Sequence, residues 1–80
     1  MPYIVVKAYP KDEATKQAVA DEISRIFLEK WGCGAEAISV RFEEFPPEEW
    51  NREVMQGEIL PNAEKMTILS GKKQTPADSI

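Results

Sequence analysis

Met1-Pro2-Tyr3-Ile4-Val5-Val6-Lys7 opens the chain, and its reading decides the fold. A strand is predicted from Tyr3 to about Tyr9, with Ile4, Val6 and Ala8 on one face and Tyr3, Val5, Lys7 and Tyr9 on the other. Both faces are largely apolar, so both are expected to be covered. The proline has two readings. It opens an edge strand, where its missing N–H costs nothing. Alternatively, removal of Met1, which a small second residue permits, turns Pro2 into a terminal secondary amine. An α-amino group titrates at about pH 8, roughly two units below lysine. Partial burial or nearby cations lower that value, because both disfavour the ammonium. Such an amine is a general base at neutral pH in a chain without histidine.

Working outward, Pro10-Lys11-Asp12 breaks the strand and Asp12 is placed to cap a helix. That helix is expected from about Glu13 to Trp31. Val19, Ile23, Ile26, Phe27 and Lys30/Trp31 share one face, while Asp21, Glu22, Arg25 and Glu29 form the wet one. Gly32 and Gly34 allow the positive φ that ends it. A second strand is expected from about Ala37 to Phe45, where Ile38, Val40 and Phe42 alternate with Ser39, Arg41 and Glu43. Strand, long helix and strand make a βαβ unit with parallel strands and a right-handed crossover.

Pro46-Pro47-Glu48-Glu49 opens a further helix, with proline in the first turn and acids at the positive end of the dipole. Trp50 and Val54 share a face of it. Gly57 and Pro61 interrupt it, predicting one broken helix or two short ones ending near Leu69. Residues 1–70 read as a single domain and residues 71–80 as a flexible tail. Two strands and one helix do not close a core. A homodimer that joins two such units into a four-stranded sheet would pair the open edges and cover the free face.

Composition narrows the function. Ten basic and fourteen acidic side chains give a net charge of −4, which disfavours nucleic acid and anionic membrane as partners. One cysteine, Cys33, forms no internal disulfide, and the absence of a Cys/His cluster removes the usual zinc site. In Gly32-Cys33-Gly34 it reads as a partly buried thiol in a turn. No apolar run is long enough to span a bilayer, and no signal peptide is recognisable, so the cytoplasm is the expected compartment. No cofactor is expected.

The Met-Pro-Tyr-Ile start, the βαβ pattern and the run Ile38-Ser39-Val40-Arg41-Phe42-Glu43-Glu44-Phe45-Pro46-Pro47-Glu48-Glu49-Trp50 resemble the 4-oxalocrotonate tautomerase family. The likeness is good over residues 2–50. The helical stretch beyond Trp50 is similar to the longer, dimeric members rather than the short hexameric ones. The resemblance implies an α/β (α+β) βαβ tautomerase-type fold and a keto–enol isomerase acting on a small 2-keto acid or its enol, such as phenylenolpyruvate or 2-hydroxymuconate.

It also implies roles. Pro2 matches the catalytic base. Lys11 lies near a family arginine, keeping the charge but not the bidentate fork; it reads equally well as a solvated loop lysine. For the second family arginine, anchoring on Glu43-Glu44-Phe45 and Trp50 selects Ser39, whereas anchoring on Ser39-Val40-Arg41 selects Arg41. Arg41 reads otherwise as an ion-pair partner of Glu43 or Glu44. Trp50 matches an aromatic wall, or anchors the last helix. Tyr3, Val5 and Lys7 are further candidates to line the site. Two alternatives stand beside the tautomerase: a proline-dependent dehalogenase or hydratase with Glu43, Glu44 or Glu49 activating water, and a non-catalytic dimeric binding module.

Overall fold

Tyr3–Ala8 forms β1 and Ser39–Glu44 forms β2, paired in parallel in a computed structural model that describes residues 1–74. The register sets Tyr3 against Ser39, Val5 against Arg41 and Lys7 against Glu43 on one face. Ile4 against Val40, Val6 against Phe42 and Ala8 against Glu44 lie on the other. The ladder runs one bond past each end: Ser39 N–H donates to the Pro2 carbonyl at 3.2 Å and Phe45 N–H to the Ala8 carbonyl at 2.9 Å.

Between the strands runs α1, Glu13–Ile26, which widens into a π turn over Phe27–Trp31. Asp12 caps it as expected, accepting from the Thr15 N–H at 2.9 Å and the Thr15 hydroxyl at 2.8 Å. Gly32, at φ 80°, ends it in the left-handed conformation and donates its N–H to the Phe27 carbonyl. Gly34 is extended at φ −84°, so Gly32 alone supplies the reversal expected of both glycines. The chain then makes a 3₁₀ turn, Ala35–Ala37, and β2 begins at Ser39, two residues later than the alternation suggested. Cys33 is half-buried, its S–H directed at the Phe27 carbonyl at 3.7 Å. On the wet face Arg25 pairs with Glu22 and, at 3.2 Å, with Glu29.

The chain divides into two units, Met1–Pro47 and Glu48–Ile80. The second begins within a short α2, Pro47–Trp50, which passes into a π segment, Asn51–Ile59, and a 3₁₀ segment, Leu60–Lys65. Pro61 has no N–H to give, and Asn62 leaves helical geometry at φ −113°, ψ 18°. The Glu58 carbonyl, which the Asn62 N–H would meet in a regular helix, accepts from the Asn62 side-chain amide at 2.8 Å instead. The break expected at Pro61 is therefore real, whereas Gly57 lies within the π segment and does not interrupt it. The run ends at Lys65, however, and Ile68–Leu69 forms β3, pairing antiparallel with β4, Lys72–Lys73. Ser70 and Gly71, at φ 49° and 83°, make the two-residue turn that such a hairpin requires. Of the expected tail, Gly71 is thus a turn residue, Lys72 and Lys73 are strand residues and Gln74 donates its N–H to the Thr67 carbonyl at 2.7 Å, while residues 75–80 lie outside the described residues.

Val54, 3% exposed, is the single buried core side chain among the described residues. In the first unit Tyr3 is 62% exposed and Trp31 69%, although Trp31 packs its ring against Phe27 at 5.4 Å. Val19 and Ile26, expected on the inner face of α1, are also exposed. Among the described residues no helix is long and apolar enough to cross a membrane.

Candidate active site

Pro2 is half-buried at the N-terminal end of the sheet, with Met1 fully exposed ahead of it. Its carbonyl is fixed by the Ser39 N–H, which brings the start of β1 beside the start of β2. Ser39 is therefore the nearest of the predicted substrate contacts to Pro2. Two residues on, Arg41 shares the face of Ser39 and Tyr3. Its Nε donates to the Tyr3 hydroxyl at 2.6 Å, and this bond holds the guanidinium more firmly protonated than usual. Glu43, one of the two partners its alternative reading named, adds a smaller electrostatic contribution behind that of Tyr3. Glu43 is taken by Lys7 at 3.4 Å on the same face, with the Lys7 ammonium 5.9 Å from the Phe45 ring centre.

Glu44 faces the opposite side. It accepts from the Lys11 backbone N–H at 2.9 Å and pairs with Lys16 of α1 at 3.2 Å, so α1 lies over the face that carries Ile4, Val6, Val40 and Phe42. These two contacts, the Lys11 N–H first, hold the Glu44 carboxyl below its ordinary range. The same pair raises Lys16. The Asp12 carboxyl is lowered by the Thr15 hydroxyl and then by the Thr15 N–H.

Pro2, Tyr3 and Ser39 thus gather at one end of the sheet, and Arg41, mid-strand opposite Val5, is tied to that end through the Tyr3 hydroxyl. Lys11 does not join them. It follows β1 at the other end, and six extended residues separate the ends by roughly 20 Å. Trp50 is half-buried and belongs to the second unit. Sequence reasoning found Tyr3 as a lining residue but missed its bond to Arg41. It also missed Glu44 as the anchor of the Lys11 loop, a contact across 33 residues. The signal was available: pairing Ile4 with Val40 carries Ala8 to Glu44 and sets the next loop against it. Among the described residues no three His, Cys, Asp or Glu side chains cluster to hold a metal ion.

No protein-family profile matches the chain. Individual relatives do. Tautomerase PptA of Cronobacter sakazakii is 35% identical over 73 residues, covering 89% of this chain and 96% of that protein. Tautomerase PptA of Pectobacterium atrosepticum is 32% identical over the same shares, and a probable tautomerase of Xylella fastidiosa is 30% identical over 75 residues, 92% of each chain. Likeness at this level spans both the βαβ unit and most of the segment that follows it. The chain belongs to the tautomerase superfamily and is an isomerase of that kind.

Proposed function

We propose that the protein interconverts the enol and keto forms of a small 2-keto acid, with the amine of Pro2, freed by loss of Met1, as the general base. The observation that carries this reading is the grouping of Pro2 with Ser39 and Tyr3 at one end of the sheet, to which the Tyr3 hydroxyl ties Arg41. The neutral nitrogen takes the enol O–H proton and becomes the ammonium, and the enolate collapses as that proton returns to carbon, giving the ketone. Arg41 is the cation for charge on the enolate oxygen, its Nε engaged by Tyr3 and the rest of its fork available. Such general acid–base work contributes about 10²–10⁴-fold.

One chain does not supply the whole site. Lys11 lies too far from its own Pro2 to hold the carboxylate of the same substrate. It serves instead from a second copy, in a homodimer that covers the open face of Tyr3, Val5, Ser39 and Arg41. The exposed Tyr3 and the lack of a buried side chain in the first unit support that assembly. A monocarboxylate such as phenylenolpyruvate suits a site with one lysine and one arginine. The hydratase alternative has less support, because Glu43 and Glu44 are both occupied by lysines and its third candidate, Glu49, belongs to the second unit.

The test follows the loss of enol absorbance for phenylenolpyruvate and 2-hydroxymuconate. Ketonisation above background, faster for phenylenolpyruvate, is expected. No acceleration of either, with release of halide from a haloacrylate, would move the function to the hydratase class.

A further inference from the structure

Lys11 sits in a loop, and a loop cation is accurate only when its backbone is held. Three bonds converge on this corner. The Phe45 N–H grips the Ala8 carbonyl, the Glu44 carboxylate accepts from the Lys11 N–H, and Asp12 caps α1 through Thr15. Residues before, at and after Lys11 are therefore tied down by backbone contacts. Lys16, itself shared with Glu13 at 3.5 Å, meets the charge of Glu44. The Lys11 ammonium enters none of the ion pairs formed among the described residues. Its backbone is fixed, and its charge acts on the neighbouring Asp12 carboxylate only as the last of the influences that lower it, without a close ion pair.

We propose that Glu44 is a positioning residue that holds the Lys11 amide so that the ammonium meets the substrate carboxylate. This rests on the reading of Lys11 as the carboxylate-binding cation. Glu44 touches no reacting atom. Lys16 keeps it from competing with the substrate for Lys11, by neutralising the carboxylate from the helix side. Since its carboxyl is held below the ordinary range, Glu44 remains an acceptor throughout neutral pH.

Steady-state kinetics on phenylenolpyruvate with Lys11→Ala, Glu44→Ala, Glu44→Gln and the Lys11→Ala/Glu44→Ala double variant test this. Lys11→Ala is expected to raise KM about tenfold or more. Glu44→Ala should raise KM about three- to tenfold with kcat within about twofold. Glu44→Gln, which keeps an oxygen for the Lys11 N–H, should restore KM to within about twofold of the parent. In the Lys11→Ala background the Glu44→Ala effect on KM should vanish, a non-additivity that a purely structural role would not give. Should Glu44→Ala fail to fold, Glu44→Leu keeps strand propensity without an acceptor and is judged by the same criteria. An unchanged KM in Lys11→Ala would remove the reading of Lys11, and the positioning role with it. A raised KM in Lys11→Ala with none in Glu44→Ala, or a Glu44 effect that persists without the Lys11 side chain, would overturn the positioning role alone.

Discussion

β1 and β2 present side chains alternately to two sides, and the two sides are secured differently. On the helix side Ile4, Val6, Val40 and Phe42 are half-buried, and Glu44 ties strand, loop and helix through Lys11 and Lys16. On the open side Tyr3 bonds Arg41 and Lys7 pairs with Glu43 from strand to strand, with Val5 between them. The helix side is tied together within one chain, although none of its side chains is fully buried. The open side carries apolar surface and a cation held by Tyr3, the residue after Pro2, which is what a subunit boundary and a substrate site both need. Stability thus belongs to the first side and, in our reading, function to the second.

Substitutions can break that contrast. The largest effect on folding is expected for Phe42→Ala on the helix side, about 2–3 kcal/mol, since Phe42 is half-buried rather than enclosed. Chemical denaturation should show the loss equally at low and high protein concentration. Val5→Ala on the open side should cost about 1–2 kcal/mol in concentrated protein and much less on dilution if the proposed homodimer covers that face. A loss independent of concentration would mean that one chain covers both sides.

A smaller, purely kinetic effect is expected for Tyr3→Phe. Freed of its phenol partner, Arg41 should raise KM by about two- to fivefold with no measurable change in melting temperature. The smallest effect is that of acid. Asp12 and Glu44 both have carboxyls lowered in the folded chain, so the unfolded state binds more protons as pH falls. Their contribution is present above the ordinary carboxylate range and is lost as pH drops below about 4. Glu44→Gln should flatten that acid limb and leave Asp12 to account for the remainder.

The first unit was legible in the sequence because each element repeats one period: 2 from Ile38 to Glu43, 3.6 from Val19 to Ile26, with Asp12 and Gly32 as punctuation, while the π turn over Phe27–Trp31 left no mark. The second was legible only as a disturbance. Gly57 and Pro61 announce a break, but whether the helix widens into a π segment or tightens into a 3₁₀ one depends on bonds such as Asn62 to Glu58, which no period records. The two-residue strands of the hairpin are shorter than any alternation can reveal. At the site, Pro2 was visible through its chemistry. The partner of Arg41 was not, because Glu43 and Glu44 are nearer in sequence while Tyr3 is nearer across the ladder. Glu44 was hidden for the same reason.

The most direct measurement compares phenylenolpyruvate ketonisation by protein shown by intact mass to lack Met1 with the same protein retaining it. Our account predicts that the amine of Pro2 supports turnover and that the retained methionine, which makes that nitrogen an amide, lowers kcat/KM at least about 100-fold. Equal activity in the two preparations would contradict it and remove Pro2 from the chemistry.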